Sequence, residues 1–154
     1  MKKIELISVG ELKFKELKEL EKQYSQKINH FIPFTAKNLK DFKIQDEEQK
    51  KKKEGEMMLQ LLAPKDFVIA LDQNGKKMDS VKFADFLSDK LAYHSDRIVF
   101  LIGGHSGLSN ALAPRIDFKL SFSDMTVGHD IFRILFLEQL YRAFTIIKGI
   151  KYHR

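Results

Sequence analysis

The chain has no cysteine and only three prolines, and nowhere does it hold the roughly 18 uninterrupted apolar residues that a membrane helix needs. Without cysteine there can be no disulfide, no thiolate nucleophile and no thiolate-bound zinc, a pattern that fits a reducing, cytoplasmic setting. Without a long apolar run the chain is not expected to span a membrane. The opening Met1-Lys2-Lys3-Ile4-Glu5-Leu6 is basic, but an acid and a glycine interrupt its apolar stretch and no small-residue cleavage site appears, so a secretory signal is not expected. No internal repeat or linker divides the 154 residues, and that length suits one domain (residues 1–154) with an ordinary core.

What is present is 44% apolar and 31% charged, with a formal net charge of +6. Clustered lysine and arginine neutralise phosphates and release counterions, so a polyanionic partner such as RNA is one reading of this balance. Lys50-Lys51-Lys52-Lys53 is the densest basic run. It reads either as a phosphate-contacting patch or as the solvated face of a helix.

Hydrophobic periodicity gives an alternation of strands and helices. Lys3 to Val9 reads as a strand ended by Gly10, followed by an amphipathic helix from Glu11 to Ile28 carrying Leu12, Leu17, Leu20 and Tyr24. After Pro33, Ala36 to Ile44 is expected as an edge strand, diluted by Lys and Asp. A helix with a charged beginning spans Gln45 to Leu62. Phe67 to Asp72, bounded by Pro64 and Asn74-Gly75, reads as a strand buried on both faces. Asp79-Ser80 caps a helix to Tyr93, and Arg97 to Ile102 repeats the buried-strand pattern. Strand, helix, strand implies right-handed crossovers and a mostly parallel sheet flanked by helices, an α/β fold. A short helical stretch at Ser109 to Ala113, a strand at Lys119 to Phe122 and a long helix at His129 to Ile147 complete the chain.

Three features carry candidate chemistry. Gly103-Gly104 follows a buried strand, where open α/β sheets bind ligands and where glycine lets backbone amides approach closely. A ligand loop and a plain tight turn both fit it. The spacing G-G-x-x-G lacks the Lys-Ser/Thr of a phosphate-binding P-loop, and it does not open a first βαβ unit as a dinucleotide fingerprint does. The last helix is apolar nearly all round, so it must be buried on more than one side, by a sheet and by either a second subunit or the rest of a monomer. Arg133 and Arg142 on that helix then need anionic partners, either Glu138 or a phosphate. His129 and Arg133 share one helix face, and no recognised zinc spacing accompanies the histidine, so a helix-start contact or an RNA contact is expected, with both residues as candidates for the latter. Tyr152-His153-Arg154 closes the sequence with a stacking ring, a proton-exchanging group and a fixed cation. Such termini are commonly frayed.

Together these residues form a family pattern. Leu101-Ile102-Gly103-Gly104-x-x-Gly107-Leu108, Leu120-Ser121-Phe122-Ser123-x-Met125-Thr126, His129-x-x-x-Arg133, Glu138-Gln139-Leu140-Tyr141-Arg142-Ala143 and Tyr152-His153-Arg154 occur in order. Ile7-Ser8-Val9-Gly10, Lys53-Glu54-Gly55-Glu56 and Leu71-Asp72 before Gly75-Lys76 extend the pattern over essentially the whole chain. The chain thereby resembles the ribosomal RNA large subunit methyltransferase H family of the SPOUT superfamily, which methylates N3 of a pseudouridine. His105 stands in a variable slot, and Gly128 replaces a frequent proline.

The resemblance implies a single SPOUT domain with a C-terminal trefoil knot, a homodimer, no metal, and a knot and cofactor site within about residues 97–154. It implies that S-adenosyl-L-methionine lies against Leu71, Gly103, Gly104 and the run Phe122-Ser123-Asp124-Met125-Thr126-Val127. The acceptor is expected in the stem-loop of large-subunit ribosomal RNA at the intersubunit bridge, free or in the assembled ribosome. The catalytic group is expected to be Arg142, Tyr152, His153 and Arg154. Arg142 and Arg154 would hold phosphate or base carbonyls, His153 would assist proton removal and Tyr152 would place the base. Two other readings remain: a non-catalytic ribosome-binding protein of the same fold, and a SPOUT enzyme acting on transfer RNA.

Overall fold

The computed structural model describes residues 1–154. Five strands, β1 (Lys3–Val9), β2 (Phe34–Leu39), β3 (Phe67–Lys77), β4 (Arg97–Ile102) and β5 (Phe118–Ser121), form one sheet in the order β2-β1-β4-β3-β5. Every adjacent pair is parallel, so the mostly parallel sheet expected from sequence is parallel throughout. Four α-helices, α1 (Lys15–Asn29), α2 (Glu47–Leu61), α3 (Ser80–Tyr93) and α4 (His129–Ile147), and a 3-10 helix at Asn110–Arg115 cover it.

Side-chain alternation sorts the strands into two cores. In β4, Ile98, Phe100 and Ile102 face a core shared with α1, α3 and α4, while Val99 and Leu101 face a smaller one built with Met58 of α2 and Leu112 of the 3-10 helix. Both faces of the central strands are therefore dry, which is why they read as continuous apolar runs. Phe136 of α4 lies 4.7 Å from Phe100, ring centre to ring centre, and truncating a buried phenylalanine of this kind costs about 3–5 kcal/mol.

Several boundaries differ from the sequence expectations. Helix α1 starts at Lys15, not Glu11: Leu12 packs into the protein ahead of the helix, and Phe14 at the N-cap is extended and makes no side-chain cap hydrogen bond. Strand β2 covers Phe34–Leu39, not Ala36 to Ile44. Its pairing with β1 begins at Phe34 opposite Ile4 and ends at Leu39 opposite Val9, where β1 itself stops. The edge position is as expected.

Strand β3 does not end at Asn74-Gly75. Leu71 and Lys76 both pair with Leu120 of β5, so residues 72–75 loop out of the ladder and the strand then resumes. Asp72 Oδ1 accepts the Asn74 amide at 2.9 Å and shapes this bulge. Gly75 closes it, because a Cβ there would stand 2.6–2.7 Å from the β5 backbone at Lys119 and Leu120. The bulge thus pushes polar residues out beyond the strand plane at the C-terminal end of the sheet.

Candidate functional site

Three connections meet at that end of the sheet: the β3 bulge, the turn after β4 and the segment after β5. Between them lies a cavity of about 410 Å³. This is within the range of pockets that hold a drug-sized ligand. Its wall includes Leu71, Gly103, Gly104, Phe122, Ser123, Met125, Thr126 and Val127. The sequence nominates all of these, and the fold brings them together. Asp124, also nominated, does not line it: its carboxylate is ion-paired to Lys77 and its carbonyl accepts Gln73 Nε2 at 3.0 Å. Gln73 also reaches Thr126 Oγ1 at 3.5 Å, so the β3 bulge braces the segment after β5.

The turn after β4 is compact. Gly107 N donates to Gly104 O at 3.0 Å, and a Cβ on Gly103 would stand 2.5 Å from the Gly107 carbonyl carbon and 2.8 Å from Leu108 N. Only glycine permits that crossing, and the backbone itself becomes the wall. The floor is aromatic: Phe122 packs against Phe83, Phe132 and Phe136 at ring-centre distances of 6.1, 5.5 and 6.2 Å. Of all the lining residues only Asp72 and His105 are ionisable, and no lysine or arginine is among them. Asp72, Gln73, Asn74, Phe132 and Leu135 are wall residues that sequence reasoning misses. Asn74-Gly75 is the available signal, and in the sequence it reads as the end of a strand.

The expected catalytic residues gather elsewhere. Arg142 donates to Glu138 from Nη2 (2.6 Å) and Nε (3.1 Å), and its guanidinium lies 4.7 Å from the Tyr152 ring centre. Tyr152 Oη donates to the same Glu138 oxygen at 3.0 Å. Partial burial, the hydrogen bond to Glu138 and that carboxylate's charge leave the Tyr152 phenol pushed up to about 12, so it remains a proton donor at neutral pH. Arg142 Nη1 donates to His153 Nδ1 at 3.2 Å. An arginine can only donate, so Nδ1 is the unprotonated nitrogen and its lone pair is occupied. The tail therefore packs on α4 instead of fraying, up to His153. Arg154 is exposed and makes no ion pair.

This cluster is not at the cavity. Leu135 is the last residue of α4 to line it, and Arg142 is seven residues on, about 10 Å along the helix. Within one chain the tail and the cavity are separate.

His129 and Arg133, expected to meet RNA, are turned inward. Arg133 is completely buried, with Nη2 donating to the Gly10 carbonyl at 2.7 Å, Nη1 to Asn38 Oδ1 at 3.1 Å, and Glu21 3.5 Å away. His129 Nε2 donates to the Val9 carbonyl at 3.1 Å. Both groups satisfy backbone left open where β1 ends; Arg133 has no exposed surface to offer RNA, which corrects that expectation, while His129 is half-buried. The expected anionic partner of Arg142 is present in Glu138. In the basic run, Lys50 pairs with Asp41 at 2.8 Å, which raises its ammonium above the usual lysine range, while Lys52 and Lys53 are exposed. No cluster of three or more His, Asp or Glu side chains is arranged to hold a metal, and no helix is long and apolar enough to cross a membrane.

The family profile described as "Predicted SPOUT methyltransferase" matches residues 1–153. The ribosomal RNA large subunit methyltransferase H of Christiangramia forsetii is 42% identical over 153 residues, covering 97% of this chain and 98% of its own. Those of Carboxydothermus hydrogenoformans (40% identical, 98% of this chain and 99% of its own) and Parabacteroides distasonis (37%, 98% of each) are similar over the same span. With its all-parallel sheet, its glycine turn after β4 and this match over nearly every residue, the chain belongs to the SPOUT methyltransferase family.

Proposed function

We propose that this chain is a cytoplasmic, S-adenosylmethionine-dependent methyltransferase. Its acceptor is N3 of a pseudouridine in large-subunit ribosomal RNA, in the intersubunit-bridge stem-loop. It works as a single-domain homodimer whose C-terminal part is knotted around the donor site. The observation that carries this reading is the cavity at the sheet end, with a wall of backbone, small polar groups and phenylalanine and no basic side chain. Relatives that match along their whole length bear the name of a ribosomal RNA methyltransferase.

The residues fit such a donor. A polyphosphate would meet no cation on this wall, whereas Asp72 favours a positively charged ligand. Gly103 and Gly107 bring main-chain groups to the ligand without side chains in the way, and Phe122 with Leu120 offers an apolar face to a purine ring. When bound, S-adenosylmethionine supplies a methyl group activated by a positive sulfur.

The tail residues serve the acceptor. N3 of a pyrimidine is a poor nucleophile until its proton leaves, so charge must be stabilised as it develops. Arg142 and Arg154 hold phosphate or base carbonyl oxygens, Tyr152 stacks on and places the base, and His153 takes the N3 proton. Within the single chain Arg142 occupies the His153 lone pair, so the tail must release Arg142 before His153 can act as a base. Ile131 and Leu135 form an exposed apolar strip on α4 at the rim of the cavity. A second subunit packed on that strip brings a foreign tail to each cavity, which reconciles the separation within one chain with a shared site.

The test supplies methyl-labelled S-adenosylmethionine with ribosomes or with bulk transfer RNA. Label in large-subunit RNA is expected. Label confined to transfer RNA would reassign the substrate, and RNA binding with no donor affinity by calorimetry would make the chain a non-catalytic ribosome binder.

A further inference from the structure

Behind the glycine turn sits a carboxyl that the proposed mechanism does not use. Glu54 of α2 is 4% exposed, and its Oε2 has no hydrogen-bond partner. It presses against Gly104, where a Cβ would stand 3.0 and 3.1 Å from its two oxygens. The next residue repeats the contact: a Cβ on Gly55 would stand 2.6 Å from Cβ of Ser109, just beyond the same turn. Two consecutive residues of α2 are thus keyed into both ends of the segment that forms one wall of the cavity.

A buried carboxylate oxygen without a donor is costly, so such a group is either held neutral or waits for a partner. Burial pushes the Glu54 carboxyl up, with the Asp41 carboxylate adding to this and the Lys50 ammonium opposing it. The turn offers the missing donors, because the amides of His105 and Ser106 make no hydrogen bond within the chain. We propose that Glu54 is a positioning residue of the donor site: it sets the height of the 103–107 turn and accepts amide hydrogens from that turn when the cavity is filled. This role rests on the assignment of the cavity to S-adenosylmethionine. The charged neighbours of Glu54 are Lys50, one turn earlier on α2, and Asp41, which precedes that helix and pairs with Lys50; Gly104 and Ser109 bring no charge.

The experiment is calorimetric titration of the full-length protein with S-adenosylmethionine, for wild type, Glu54→Gln and Glu54→Ala, repeated across pH. Because the bound state favours the ionised carboxyl, wild-type affinity rises with pH through the raised carboxyl value, and Glu54→Gln removes that dependence while keeping the shape of the side chain. Loss of hydrogen bonds to a charged acceptor weakens donor binding about ten- to a hundredfold in Glu54→Ala and less in Glu54→Gln. In turnover the effect falls on the KM for donor, with kcat at saturating donor and the KM for RNA unchanged. Glu54→Gln with wild-type affinity and the wild-type pH profile would overturn the proposal, even if Glu54→Ala fails to fold. Wild-type protein with no affinity for S-adenosylmethionine would overturn the donor assignment and, with it, this role.

Discussion

Arg133 shows how a charged residue on an apolar helix is to be interpreted. By sequence it shares a helix face with His129 and is expected to meet RNA. In the fold it is a buried clamp that joins α4 to the last carbonyls of β1, to Asn38 on the edge strand and to Glu21 on α1. Those partners lie roughly a hundred residues earlier in the chain, so no local pattern could reveal them. Arg133→Met removes one side of this network and leaves the Glu21 carboxylate without its cation, and urea unfolding is expected to show a loss of about 3 kcal/mol. A loss under about 1 kcal/mol would contradict the clamp.

Glu5 makes the opposite case. Its burial raises the carboxyl, but Lys37 at 2.7 Å and Arg97 at 2.7 Å more than compensate and hold it below the usual carboxylate range. A carboxyl depressed by folding contributes stability that is complete above its unfolded value and is lost as pH falls through the folded one. Acid titration monitored by circular dichroism is therefore expected to show a shallower fall in stability for Glu5→Gln than for wild type below about pH 4.5, together with lower stability at pH 7.

Among the elements, the strands are the most legible. Strands β3 and β4 carry runs buried on two faces, so their composition alone announces them. The edges of elements are less legible because tertiary contacts set them: β2 stops where β1 ends, and β3 resumes after a bulge whose closing Gly75 is needed by the neighbouring strand. The glycine turn after β4 lies between. Its place at a strand end is readable, but the crossing of Gly103 over Gly107 depends on the three-dimensional path. Gly103→Ala puts a methyl into that crossing at 2.5 Å. The turn must shift, at a cost of about 1–3 kcal/mol to the fold, and S-adenosylmethionine affinity by calorimetry is expected to fall at least about tenfold.

For the whole molecule, the sequence argues from α4 to a second subunit, since a helix apolar all round needs more than one partner. Much of that need is met inside the chain, where α1, α3 and the sheet cover Phe136, Leu137, Leu140 and Phe144. What remains is the narrower strip of Ile131 and Leu135 beside the cavity. The case for a dimer thus rests less on the helix as a whole than on the distance between tail and cavity in one chain. Mixing Arg154→Ala subunits with Gly103→Ala subunits tests it. Random exchange makes half of the dimers mixed, each with one intact site of two, so about a quarter of wild-type methyl transfer is expected from two preparations that are nearly inactive alone. No recovery on mixing would contradict a shared site.

The central claim concerns the product, and mass spectrometry of large-subunit ribosomal RNA from a strain lacking this chain reads it directly. N3-methylpseudouridine at the intersubunit-bridge stem-loop is expected to disappear and to return when the wild-type chain, but not the Arg154→Ala chain, is restored. Persistence of that nucleoside in the deletion strain, or loss of a methylated nucleoside from transfer RNA instead, would contradict the account.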